Sequence, residues 1–160
     1  MDSIKISRIV VLLVLLGQAN SLFAGSISGV IGVVGSSSTE AMVNFKGKIS
    51  DTGAIEETSQ LIVTDGDKKT TVKISALKID GQYAWFSGKC ISGNSDKLGH
   101  WLFVAVDDGG TPGNISDHVW WEWLGNDAKA ESEAASKVKN LKKPVENKPV
   151  KSGDIVVNNR

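Results

Sequence analysis

The sequence has little cysteine and no excess of charge of either sign. Cys90 is the single cysteine among 160 residues, so the chain cannot form an internal disulfide scaffold. Residues 25–124 carry 8 Lys and 12 Asp/Glu (8 − 12 = −4), whereas residues 125–160 carry 8 Lys/Arg and 5 Asp/Glu (8 − 5 = +3). Because binding to phosphates needs a concentrated basic face, no nucleic-acid partner is predicted.

Catalytic signatures are also missing. The sequence contains no G-x-S-x-G elbow, no H-E-x-x-H pair and no Gly-rich loop that precedes a helix and could hold phosphate. His100 and His118 lack the further ligands that a zinc site requires, and Cys90 has no C-x-x-C companion. The sequence therefore predicts a protein that is not an enzyme.

No apolar run is long enough to cross a bilayer as a helix. The longest, residues 9–16, covers less than half of the roughly 20 residues that a span needs. It follows two basic residues and precedes small ones, which is the plan of a secretory signal peptide over residues 1–24. Cleavage is expected after Ala24 or after Ala19. We therefore expect a periplasmic or secreted protein, in contact with a membrane only during export.

Short β-branched runs separated by Gly and Asp turns fill most of the remaining chain. Residues 25–41 are predicted as a flexible lead or a first strand, and residues 42–158 as a single β domain. The runs are 42–49, 60–64, 70–79, 83–91, 101–106, 118–124 and 154–158. This spacing is typical of an antiparallel meander, so we predict an all-β barrel or sandwich of about seven or eight strands.

One segment breaks the β pattern. Residues 127–143 have Val138 as their single β-branched residue and are rich in strong helix formers. A narrow, weakly apolar stripe recurs there at helical spacing, formed by Ala130, Ala134, Val138 and Leu141. We therefore predict one helix, inserted before the last strand and lying on the outside of the barrel or sandwich.

Several motifs carry a family resemblance. They are Phe86-Ser87-Gly88, the D-x-G-x-P-G block at residues 108–113, Asp117, and the closing Gly-Asp-Ile-Val-Val at residues 153–157. Over about residues 42–157 the chain resembles a small all-β domain widespread in bacterial secreted proteins, often with a helical or loop insertion. The resemblance implies that fold and no established activity. One departure is Thr111, which stands where the family usually has an acidic residue and so weakens a metal role for the block.

Four polar side chains lie on the Gly-rich connection after residue 106, namely Asp107, Asp108, Asn114 and Asp117. Calcium takes six to eight oxygen ligands from such loops, so a Ca²⁺ site is one interpretation. The favoured interpretation is a hairpin connector, in which Asp and Asn side chains accept hydrogen bonds from turn amides. No cofactor other than Ca²⁺ is suggested.

Tryptophan is the second candidate for a binding role, in particular Trp101, Trp120, Trp121 and Trp123. Trp121 and Trp123 lie on one face of a strand and Trp120 on the other, so they cannot all be core residues. Exposed indoles could stack on sugar rings or contact another protein. The favoured interpretation is that some fill the core and the others cover its mouth or pack under the helix.

These features together predict a binding or structural module outside the cytoplasm, whose unknown partner is a protein or a glycan. A calcium-stabilised or carbohydrate-binding module is the first alternative. A carrier of a small ligand would need an interior cavity near the tryptophans. A hydrolase would need Asp108, Asp117 and His118 to converge in one cleft.

Overall fold

The computed structural model describes residues 24–34, 40–93, 96–110, 117–141 and 148–159. Within these residues the chain forms nine β-strands and one α-helix. In chain order they are β1 (Gly25–Val34), β2 (Glu40–Ile49), β3 (Gln60–Asp65), β4 (Lys68–Asp80), β5 (Tyr83–Ser92), β6 (Trp101–Asp107), β7 (His118–Trp123), α1 (Ala128–Asn140), β8 (Lys148–Pro149) and β9 (Ser152–Asn159).

All nine strands belong to one antiparallel sheet, in the order β8-β7-β6-β5-β4-β3-β2-β1-β9. Strands β1 to β7 form a continuous meander, and β9 returns to pair with β1. Inward side chains of β1 to β7 and of β9 pack into one hydrophobic core, which shows that the sheet curls on itself as a half-barrel. The fold is therefore a curled single sheet and not a sandwich of two sheets.

Strand β2 shows how the inner face is built. Its ten residues alternate between exposed and buried from Glu40 to Ile49, as expected for a strand with one wet face. Phe45 is buried and lies opposite Gly29 of β1. A Cβ atom at Gly29 would come within 2.5 Å of the Phe45 ring, so glycine there gives the ring its place in the core.

Helix α1 covers the outer face of the sheet over β4, β5 and β6. It begins after Asp127, whose Oδ1 accepts a hydrogen bond from the Ala130 amide at 2.8 Å. Ala130, Ala134 and Val138 are its buried residues. The first two pack with Trp101. The prediction of a helix on the outside of the sheet is confirmed.

The predicted strands agree with the observed ones to within two residues at each end. Of the two interpretations of residues 25–41, the first-strand one matches β1. The predicted helix, 127–143, is longer than α1, because the backbone turns extended at Leu141. Strand β8 was not predicted, since two residues that include a proline give no periodic signal.

The predicted signal peptide lies outside the described residues except for Ala24. Among the described residues, no helix combines the length and the apolar character that a bilayer crossing requires.

Candidate ligand-binding cavity

Asp117, immediately before β7, is completely buried and bonded on both of its carboxylate oxygens. Its Oδ1 accepts a hydrogen bond from the Gly109 amide at 2.9 Å, within the same connection. Its Oδ2 accepts one from the Ile155 amide of β9 at 2.7 Å. The side chain thus joins the β6–β7 connection to a strand at the opposite edge of the sheet.

Asp108 is bonded in the same way. Its Oδ1 accepts from the Gly110 amide and its Oδ2 from the Val157 amide of β9, both at 2.9 Å. These β9 amides belong to an edge strand, whose outward N–H groups would otherwise lack a protein partner. We call Asp108 and Asp117 the carboxylate clasp, because together they hold β9 against the far end of the sheet.

The other members of the calcium candidate set lie apart from these contacts or cannot be placed. Asp107 Oδ1 accepts a hydrogen bond from Gln82 Nε2 at 2.7 Å. Asn114 lies outside the described residues. Within the described part of the chain, no group of three or more His, Cys, Asp or Glu side chains could hold a metal ion. The contacts of Asp108 and Asp117 are those of a structural connector, and the calcium interpretation stays a prediction.

The residues of the hydrolase alternative lie at the same end of the sheet. Both oxygens of Asp108 and of Asp117 accept backbone amides. His118 Nδ1 is buried and has no hydrogen-bond partner in the part of the chain that the structure describes. The contacts of Asp108 and Asp117 are therefore structural, since all four of their carboxylate oxygens accept a hydrogen bond from a backbone amide.

Three of the five tryptophans lie on the outer face of the sheet, around the helix. Trp85 is fully buried in a cluster with Phe103 and Val138, and Trp120 packs against this cluster. The Trp120 and Phe103 ring centroids are 5.4 Å apart in an edge-on arrangement. Trp101 is buried beneath the first turns of α1. These indoles therefore fix the helix to the sheet.

Trp121 and Trp123 share the opposite face of β7 from Trp120, as their spacing predicted, and this face is the inner one. Both are half-buried and pack against the main core. They form part of the wall of a cavity of about 260 Å³ at one end of the curled sheet. The remaining apolar wall comes from five strands and consists of Val33, Ala41, Val43, Phe45, Leu61, Val63, Leu102, Val104 and Val119.

Polar side chains collect at the mouth of this cavity. Asp65, Lys68, Thr70 and Lys97 line it there, and Lys68 is exposed whereas Phe45 at the inner end is buried. Asp65 and Lys68 are cross-strand partners at the β3–β4 turn. Lys97 Nζ lies 5.6 Å from the centroid of the Trp123 ring, within the range of a cation–π contact. An apolar interior with a few polar groups at the opening is the usual make-up of a small-molecule site.

Sequence reasoning identified Trp121 and Trp123 but missed the rest of this site. The missed residues include Lys68 and Lys97 at the mouth and the small inward side chains at Ala41 and Val43. The available signal was the difference in size along β2, where Ala41 and Val43 point inward at one end and Phe45 follows. Small inward residues on neighbouring strands leave space that larger ones would fill.

Cys90 lies on the inner face of β5 and behaves as a small apolar residue. It is buried, and its thiol donates a weak hydrogen bond to the Ser92 carbonyl oxygen at 3.5 Å. Burial raises the pKa of the Cys90 thiol, against a smaller lowering effect of that hydrogen bond. The neutral thiol is favoured, which does not suit a nucleophile.

Comparison of the chain with protein-family models, curated proteins and solved structures found no match.

Proposed function

We propose that this protein is an extracytoplasmic binding module that holds a small, largely apolar molecule in the cavity at the open end of its curled sheet. The supporting observation is the 260 Å³ space between Trp121, Trp123 and the inner faces of five strands. An apolar cavity of about 150 Å³ can hold benzene, so this one has room for about ten non-hydrogen atoms.

A cavity of this size supports a binding role because a well-packed core rarely leaves such a space. Side chains in protein interiors fill space as densely as organic crystals, and a space of this size costs stability. At the inner end of the cavity the core is filled, since Phe45 and Phe86 pack with ring centroids 5.7 Å apart. A ligand that enters the cavity exchanges water for apolar contacts, worth about 25 cal/mol for each Å² of apolar surface buried.

Titration with 1-octanol, followed by intrinsic tryptophan fluorescence, tests the proposal. Two of the five indoles line the cavity, so we expect a saturable change with a dissociation constant on the order of 100 µM. The variant Ala41→Leu fills part of the cavity and is expected to weaken binding about tenfold. Its matched control is Asn44→Leu, which places the same side chain on the exposed face of β2.

The comparison of the two variants separates the cavity from surface adsorption. Loss of octanol binding in Ala41→Leu, with binding retained in Asn44→Leu, would support the cavity. No saturable change in the unmodified protein, or equal binding in all three proteins, would overturn it. Thermal unfolding of each variant shows whether it is folded.

The extracytoplasmic part of the proposal depends on residues 1–24. Expression of the full chain in a bacterium, followed by fractionation and N-terminal sequencing, should give a periplasmic or secreted product that starts at Gly25 or Asn20. A cytoplasmic product that keeps Met1 would contradict it.

A further inference from the structure

The charged side chains at the cavity mouth are unevenly distributed. Lys68 and Lys97 carry ammonium groups there, and Asp65 carries the one carboxylate among the lining residues. The described lining of the site therefore has a formal charge of 2 − 1 = +1. Residues 25–160 together sum to −4 + 3 = −1, so the positive charge at the mouth does not reflect a basic chain.

Lys97 is held where it can meet a bound molecule. It lies in the connection between β5 and β6, with its Nζ over the ring of Trp123. Trp123 itself lines the cavity, so the ammonium group and the apolar wall belong to the same opening. Lys68 enters the opening from another element, as the first residue of β4.

A cavity with an apolar interior and positively charged side chains at its mouth suits an amphipathic ligand. We propose that the cavity takes a single-chain amphiphile whose anionic headgroup lies at Lys68 and Lys97 and whose apolar chain of about eight carbons extends toward Phe45. The chain length follows from the volume, by the same scaling from a benzene-sized cavity. This inference deepens the proposed function and rests on it.

The test compares three probes of equal chain length at pH 7, namely octanoate, 1-octanol and octylamine. Binding of each is measured by isothermal titration calorimetry and by tryptophan fluorescence. A charge-assisted contact is about twice as strong as a neutral one, so we expect octanoate to bind about tenfold more tightly than octanol. Octylamine should bind most weakly, because its ammonium group meets a mouth whose net formal charge is positive.

Variants at the two lysines locate the headgroup. Lys97→Gln and Lys68→Gln are each expected to reduce the octanoate-to-octanol ratio about threefold, and the double variant should bring it close to one. Lys69→Gln is the matched control, because it removes the same charge from the neighbouring position of β4 but does not line the cavity. It should leave the ratio unchanged. Raising the salt concentration should weaken octanoate binding and leave octanol binding unaffected.

The outcomes separate this inference from the proposed function. Two outcomes would overturn the proposed anionic headgroup but not the binding cavity. One is that octanol binds and octanoate binds no more tightly. The other is that Lys69→Gln lowers the octanoate-to-octanol ratio as much as Lys97→Gln. If none of the three probes binds, the proposed function fails as well.

Discussion

The two ends of the curled sheet are built in opposite ways. At one end the carboxylate clasp ties the β6–β7 connection to β9 through two hydrogen bonds of 2.7 and 2.9 Å, and two more bonds of 2.9 Å brace the connection itself. At the other end small inward side chains leave a cavity with tryptophans at its wall and lysines at its mouth. Buried polar contacts therefore fix the half-barrel at one end, while the other end keeps an open cavity.

Removing the clasp should have the largest effect on stability. Asp117→Ala removes the carboxylate that accepts hydrogen bonds from the Ile155 and Gly109 amides. Each lost hydrogen bond to a charged group is worth about 1.5–3 kcal/mol, so we expect the free energy of unfolding to fall by about 4 kcal/mol. Urea unfolding followed by far-ultraviolet circular dichroism measures the change.

A graded control sharpens this prediction. Asp117→Asn keeps one acceptor oxygen and should cost roughly half as much as Asp117→Ala. Asp108→Ala should also cost less, because Asp108 is only half-buried. If Asp117→Ala unfolds at the same urea concentration as the unmodified protein, the clasp does not hold the sheet.

The open end should respond in the opposite direction. Ala41→Leu adds apolar atoms to the cavity, so we expect it to raise the free energy of unfolding by about 1 kcal/mol while it weakens octanol binding. Thermal melts and octanol titrations of the same sample test both effects. A destabilised Ala41→Leu would mean that the cavity has no room for the added side chain, which would contradict the open end as described.

The smallest effect is expected for calcium. Since the carboxylate oxygens of Asp108 and Asp117 already accept backbone amides, added Ca²⁺ should shift the melting temperature by less than about 1 °C relative to chelator. Thermal melts in each condition provide the test. A shift of several degrees would revive a metal site that includes Asn114.

Local sequence patterns predicted much of this fold and less of its site. The β-branched runs predicted the strands, and the alternation of side chains in β7 predicted that Trp121 and Trp123 share one face. These signals lie within a few residues of one another. The clasp depends on contacts between residues 38 and 49 positions apart, to which no local pattern points.

No local sequence pattern predicted the cavity either. Its volume depends on how tightly five strands curl and on which small residues meet across the sheet. Lys97 gave no signal either, because its position over Trp123 depends on the path of the β5–β6 connection.

The central claim is that one end of the sheet holds the fold while the other binds the ligand, and chemical-shift mapping with octanoate tests it most directly. In ¹H–¹⁵N spectra we expect saturable shifts at the amides of Val33, Val43 and Val119 and at the Trp121 and Trp123 indoles, with Asp117 and Ile155 unchanged. Shifts confined to the exposed outer face around Val30 and Val156, or no saturable shifts, would contradict the account.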